Sequence, residues 1–210
     1  MDKPQHVLVL GATGQTGSEV VKQALKKNSV VSAYVRSPDK ITISDKNLHI
    51  IVGNVQNSKA LAKAIQGQDA VIMALGPKKI KDAIITPATK AIINAMHEAK
   101  VKRLVMLSSF AAHPDFKPPF LMKLIWPMMK TVFEDKKVAE NLLKKTDLEW
   151  TIIYATRLTN GEHSKNYHVS ETLPENILSK SISRADVADF MLHSLEETNF
   201  VHKMPVISAK

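Results

Sequence analysis

The feature that most limits what this chain can fold into lies near its start. A short apolar run, His6–Leu10, meets Gly11-Ala12-Thr13-Gly14-Gln15-Thr16-Gly17 without a break, and a helical pattern over Gly14–Lys27 follows at once. Gly11 permits a tight turn, Gly14 lets the backbone approach a pyrophosphate, and Gly17 lets the helix pack close to the sheet. Backbone N–H groups at the helix start then face an anion, and the helix dipole adds attraction. The spacing is G-x-x-G-x-x-G, not the dehydrogenase G-x-G-x-x-G. Such glycines alone are a weak signal. Their position between a strand and a helix gives them weight, with a plain strand–helix turn as the alternative.

Beyond this loop, short apolar runs alternate with helical patterns, the mark of a parallel sheet. Strands are predicted at His6–Leu10, Val30–Val35, Leu48–Val52, Ala70–Ala74, Arg103–Leu107, Trp150–Tyr154 and Lys203–Ser208. The first six are apolar throughout, as strands buried on both faces should be. Helices are predicted at Ser58–Ile65 with a Ser cap, Thr86–Ala99 with Thr86 as N-cap, Thr131–Lys145, and from Ser183-Arg184-Ala185-Asp186, a capping-box variant, to about Glu196. The expectation is α/β: one Rossmann-type, doubly wound, mainly parallel sheet with helices on both faces, spanning 1–210 as a single domain. Ala111–Lys130, rich in Pro and Met, and Thr156–Leu178, polar and loop-like, fit neither pattern. Both follow carboxyl ends of strands, where open α/β sheets bind ligands. With their borders, 109–130 and 155–180, they are assigned to the substrate side.

Composition narrows the function classes. With 210 residues the chain suits one domain, and with no cysteine it has no disulfide, thiolate catalysis or Cys-based metal site. The first strand begins too early for a signal peptide, and 118–133 is interrupted by Lys123, Pro127 and Lys130, so no membrane span is expected. Cytoplasm is the expected compartment. The net charge is +9, but its basic residues are scattered in pairs and aromatics are only 5%. No specific nucleic-acid partner is expected from that pattern. Solvated helix ends explain the charge, as does a field that draws in a phosphorylated cofactor.

The end of the second strand is the next informative position. An acidic residue there would hydrogen-bond the ribose 2′-hydroxyl of NAD. The chain carries Tyr34-Val35-Arg36-Ser37 instead, with no carboxylate before Asp39. Arg36 offers a planar fork suited to a 2′-phosphate, which points to NADPH over NADH. Gly53-Asn54-Val55 is expected to flank the adenine, and Ala74-Leu75-Gly76 to pass beneath the cofactor ribose. Each is equally readable as a turn.

On these residues the chain resembles the atypical short-chain dehydrogenase/reductases of the NAD(P)H-binding, NmrA-like group, and within it the biliverdin-IXβ reductase/flavin reductase branch with its bacterial NADH-flavin reductase relatives. The resemblance also runs through Gly67–Ile72, Ser108-Ser109-Phe110, Leu148–Thr151 and Ile182–Ala188. It implies cofactor contacts at Gly11, Thr13, Gly14, Gln15, Thr16, Arg36, Asn54, Val55, Leu75, Gly76 and Ser109. There are departures. Asn54 stands where the family has Asp, Tyr154-Ala155 replaces an arginine-proline pair, and Pro77-Lys78 stands where the flavin reductase has arginine, leaving a phosphate contact by Lys78 open.

Typical short-chain reductases protonate the substrate with a Tyr followed by Lys four residues later. Here Phe133 occupies the Tyr place and Lys137 the Lys place. Phenylalanine supplies no proton. That favours a small-molecule conjugated acceptor such as a flavin, with protons drawn from solvent. Ser109 is the candidate donor to the carboxamide or an acceptor carbonyl, against a turn or cap serine. His113 is a candidate proton source, against an ordinary loop histidine. Phe110, Phe116, Phe120, Trp126, Met122, Met128 and Met129 read as an apolar wall for a planar ligand or as a helix packed into the core. Arg157 reads as a contact to an acidic substrate group or as a surface residue. His163 and His168 lack a third ligand at metal spacing, so no metal site is expected. Two functions stand: an NADPH-dependent reductase of conjugated acceptors, and an NmrA-like NAD(P) sensor with a protein partner.

Overall fold

The computed structural model describes residues 5–77, 82–120 and 126–210. In chain order the elements are β1 (His6–Leu10), α1 (Gln15–Lys26), β2 (Val30–Val35), β3 (Leu48–Val52), α2 (Ser58–Ile65), β4 (Ala70–Met73), α3 (Ile85–Ala99), β5 (Arg103–Ser109), α4 (Trp126–Leu143), β6 (Glu149–Ala155), β7 (Arg157–Thr159), β8 (Tyr167–Ser170), β9 (Ser181–Ser183), α5 (Arg184–Glu196) and β10 (Val206–Ala209). Eight strands form one sheet in the order β3-β2-β1-β4-β5-β6-β10-β8, parallel except for β8, which runs antiparallel to β10. β7 and β9 form a separate parallel pair. The chain moves outward from β1 to β3, then crosses back to β4 on the other side of β1. The carboxyl ends of β1 and β4 therefore flank the switch point of a Rossmann sheet, the crevice where such folds bind ligands.

Strand alternation divides the interior between two cores. Leu8, Leu10, Leu104 and Met106 face α2, α3 and α4, whereas Val7, Val9, Val105 and Leu107 face α1 and α5. Burial on both faces explains why these strands read as unbroken apolar runs. β3 departs from that expectation: it is the sheet edge, and Ile50 and Val52 are 44% and 64% exposed. Arg103 is the polar exception inside. Its guanidinium donates to the Glu149 carbonyl at 2.6 Å, to Thr151 Oγ1 at 2.9 Å and to the Ser194 carbonyl, joining β5, β6 and α5.

Several local expectations are corrected. α2 is capped by Asn57, whose side chain accepts from Ala60 N at 3.1 Å, not by Ser58. Thr86 is not the cap of α3: the Asp135 carboxylate reaches across from α4 and accepts from Ile85 N at 2.7 Å and Thr86 N at 2.9 Å. A charged acceptor on a neighbouring helix satisfies two donors that a local hydroxyl could serve only singly. α4 includes Trp126–Lys130, so part of the Met-rich stretch is helical. The 156–178 stretch contains β7 and β8. The last strand starts at Val206; before it, Lys203 makes only an isolated bridge to Thr151, with its N–H turned back to the Phe200 carbonyl. Ser183 caps α5 as the sequence indicates, accepting from Asp186 N at 2.9 Å.

Candidate active site at the carboxyl edge of the sheet

The ends of β1 to β4 open onto a cleft of about 280 Å³. Its wall includes Gly11, Thr13, Gly14, Arg36, Asn54, Val55, Leu75 and Gly76, eight of the residues singled out from sequence for the cofactor. Gln15 lies just outside, on two adjoining clefts. Thr16 and Gly17 are buried in α1, and Ser109 is half-buried away from this wall.

The glycine loop is tight for identifiable reasons. Gly11 has φ +90°, and a Cβ there would lie 2.5 Å from the Ala74 carbonyl oxygen. That contact lets the β1 and β4 ends close on each other at the switch point. A Cβ on Gly17 would lie 2.1 Å from the Gly11 carbonyl oxygen. Gly17 thus lets α1 lie directly against the backbone that leaves β1. Gly14 N–H donates to the same carbonyl at 2.8 Å. No side chain caps α1, and its first turn carries no acidic residue. The N–H groups of Gln15, Thr16 and Gly17 have no intrahelical acceptor, and the dipole favours an anion beside them.

At the other end, Tyr34 lies over Gly53, where a Cβ would be 2.1 Å from the phenol oxygen, and its hydroxyl donates to the Asn54 carbonyl at 3.3 Å. Burial raises the Tyr34 pKa, so the phenol is neutral. The Asn54 side chain accepts from Gln56 N at 3.1 Å. Lys40, which the sequence reading missed, joins Arg36 on the cleft, and Asp39 is not on its wall. The signal was available: a 3₁₀ turn at Pro38–Lys40 brings the fourth residue after Arg36 back toward the strand end. Glycines a Cβ would fill, an uncapped helix start and a two-cation rim together fit a dinucleotide carrying phosphates. Lys78 and Met122 lie outside the described residues.

The β5 and β6 ends are built differently. Ser109 Oγ accepts from Ala111 N at 3.4 Å, making it the cap of a 3₁₀ turn at Phe110–Ala112. His113 is buried, packs edge-on against Tyr154 with centroids 4.8 Å apart, and accepts from Asp115 N on Nδ1 at 3.2 Å. Burial lowers its pKa, Lys144 adds to that, and Asp115 opposes it. Phe110, Phe116, Trp126 and Phe133 form a continuous aromatic chain, with Trp126 and Phe133 stacked at 5.1 Å. This chain belongs to the core, with Phe110 and Trp126 partly uncovered at its rim. Phe120, Met128 and Arg157 are exposed.

The lysine taken inward from α4 is Lys136. Lys137 is partly exposed and lies 3.9 Å from Glu134. Beside Lys136, Glu140 is buried and accepts from Ser108 Oγ at 2.5 Å and Tyr154 Oη at 2.6 Å, tying β5 to β6. Burial raises the Glu140 pKa while those hydrogen bonds and Lys136 pull it down. Burial lowers that of Lys136 and raises that of Tyr154. The sequence reading did not reach this cluster. Its signal lay in α4, where Phe133, Lys136, Glu140 and Leu143 share one helical face.

The fold and the glycine loop define a Rossmann-type, NAD(P)-binding protein. The chain belongs to the NAD(P)H-binding family, which matches residues 11–198. It is 30% identical to an uncharacterised chloroplastic protein of Arabidopsis thaliana, over 94% of this chain and 75% of that one. It is 26% identical to the photosystem II assembly factor Ycf39 of Synechocystis, over 98% of this chain and 63% of Ycf39. Two solved structures share the fold. A short-chain dehydrogenase/reductase from Veillonella parvula in complex with NADP superimposes with TM-score 0.80 at 20% identity, covering 99% of this chain and 95% of that one. The anaerobillin reductase ChuY of Escherichia coli O157:H7 does so with TM-score 0.80 at 18% identity, covering 97% and 96%. A nicotinamide dinucleotide is thus the cofactor of the family to which the chain belongs. Among the described residues, no helix is long and apolar enough to cross a membrane.

Proposed function

We propose that the protein is an NADPH-dependent reductase of flavin-like or other conjugated acceptors. The observation that carries the cofactor preference is the pair Arg36 and Lys40 on one cleft from whose wall Asp39 is absent. A 2′-phosphate would meet two cations there, whereas the 2′-hydroxyl of NADH would find no carboxylate. The Veillonella relative's complex with NADP supports this choice.

The residues would divide the work by position. Gln15, Thr16 and Gly17 would hold the pyrophosphate on their N–H groups. Val55 and Asn54 would flank the adenine, and Leu75 and Gly76 would underlie the ribose. Ser109 would orient the carboxamide or an acceptor carbonyl, with Phe110 and Trp126 against the acceptor and Arg157 toward an acidic group on it. The bound cofactor supplies hydride. Phe133, buried against Trp126, supplies no proton, which favours acceptors that spread charge over a conjugated system. ChuY, a reductase by name, supports reduction as the reaction class.

A sensor with a protein partner is the second reading, favoured by Phe133 in the acid's place and by the role in Ycf39's name. Oxidation of NADPH with FMN and with a quinone separates the two. Turnover supports the reductase; tight NADPH binding without turnover on either acceptor overturns it.

A further inference from the structure

The cofactor cleft has an apolar floor as well as a cationic rim. Tyr34, Val55, Leu75, Ile84 and Ala88 all line it. Tyr34 and Ala88 belong to the core beneath α2 and α3, and the other three pack against that core. Among the described residues, Tyr34 is the one aromatic side chain on the cleft wall. It is only 2% exposed, and the cleft is the open space that it borders.

Gly53 reserves the place of this ring. Its N–H donates to the Val35 carbonyl at 2.8 Å, which fixes the backbone at the end of β3 against β2. Its φ lies outside the left-handed region, so backbone conformation does not call for glycine there. Space does. A Cβ at position 53 would meet Tyr34 Oη at 2.1 Å, Cζ at 2.3 Å and Cε2 at 2.8 Å, and these are its three nearest atoms. A methyl group would have to displace the ring. With close-packed core on its other sides, the ring's way out is the cleft. The phenol hydroxyl donates to the Asn54 carbonyl at 3.3 Å, which holds the ring tip beside the turn that follows β3.

We infer that Tyr34 carries the adenine of the dinucleotide: the base rests on the phenol ring, and Gly53 keeps that ring out of the space the base takes. A purine is flat and apolar on its faces, so it binds best against a flat apolar partner. The glycine loop and the Arg36–Lys40 rim offer none. Burial raises the Tyr34 pKa, so the ring is a neutral phenol. Its contact with the base is therefore uncharged and insensitive to salt, unlike a contact made by Arg36. The inference rests on the reading that Asn54 and Val55 flank the adenine. It is independent of the acceptor and of the choice between NADPH and NADH, since both carry the base.

The test titrates NADPH and NADH calorimetrically into wild type, Tyr34→Phe, Tyr34→Leu, Gly53→Ala and the Gly53→Ala/Tyr34→Leu double variant. A base–aromatic contact is worth about tenfold in Kd. Tyr34→Leu should therefore weaken both cofactors about tenfold, and by the same factor at low and high salt. Tyr34→Phe should stay within about twofold, because the ring remains. Gly53→Ala should weaken both cofactors more than Tyr34→Leu does. The double variant should return to the Tyr34→Leu level, since leucine is too short to reach position 53. A readout that loss of fold cannot imitate comes from magnetic resonance. The chain has three tyrosines, so the Tyr34 ring protons are assigned by their loss in Tyr34→Phe. They should show a nuclear Overhauser effect to the adenine protons of bound NADP⁺. Absence of that effect, unchanged affinities in a folded Tyr34→Leu, or a double variant as weak as Gly53→Ala would each overturn the role of Tyr34 and leave the dinucleotide site standing. A wild type that binds neither cofactor overturns the site and the role of Tyr34 together.

Discussion

Removing Arg36 tests the cofactor preference most directly. A charge-assisted hydrogen bond to a phosphate contributes about 1.5–3 kcal/mol. Arg36 and Lys40 are both exposed at the cleft rim, so water and salt screen them and the lower figure applies. About 1.5 kcal/mol corresponds to roughly tenfold in Kd. Arg36→Ala should therefore weaken NADPH about tenfold. Lys40→Ala should weaken it less, since an ammonium lacks the planar fork, and the double variant by no more than about a hundredfold. NADH has no 2′-phosphate, so its Kd should change by less than about twofold in all three. Isothermal titration of both cofactors at low and high salt reads this, and the NADPH advantage should shrink as salt rises. Equal losses for NADPH and NADH would refute the 2′-phosphate assignment, because a contact to any shared part of the two molecules weakens both.

Three further outcomes follow from the geometry. Gly14→Val should abolish cofactor binding, measured by titration, while circular dichroism shows an unchanged fold, since its backbone (φ −82°) admits any residue but its Cβ would stand 3.2 Å from the Gly11 carbonyl at the helix mouth; a folded variant that binds normally would reduce the loop to a turn. Asp135→Ala should cost about 1–2 kcal/mol by uncapping α3 and lower Tm by about 2–8 °C, with Asp135→Asn milder; an unchanged Tm would refute the cap. His113 has a lowered folded-state pKa, so the unfolded chain binds its proton first and stability falls as pH drops below the unfolded value of 6.5. Between pH 7.5 and 5.5, His113→Phe should lose up to about 1.4 kcal/mol less than wild type in urea titrations, and equal losses would refute this.

The fold was legible where local pattern and tertiary environment agree. Strands β1 and β2 fall on their predicted residues because buried parallel strands are apolar runs between turns, β3 does so although it is the exposed edge, and the glycine loop announces itself by position. The misses share a cause. Asp135 caps a helix 50 residues away in sequence, and Glu140 joins Ser108 to Tyr154 across two strands. No local window holds such pairs. In Asp135-Lys136-Lys137, adjacent charges read as solvated surface, yet Asp135 and Lys136 turn inward and Lys137 does not. β7, β8 and β9 were missed because strands of three or four mixed residues have too few positions to show alternation.

The position of β10 bears on the order of assembly. In the sheet, β8 pairs with β10 alone, and β10 follows the other seven strands of that sheet in the chain. During synthesis the strands and helices of the glycine loop, up to β6, can dock while Val206–Ala209 is still unmade. The segment that carries β8 is anchored to α5 earlier, through Lys165 N to Asp186 and Tyr167 Oη to Asp189, but its strand must wait for β10 before its backbone donors are satisfied. Nucleotide-binding capacity should thus emerge on the nascent chain before the β8 edge of the sheet acquires its final shape. A ligand present at that stage would bias the late steps by binding a half already formed.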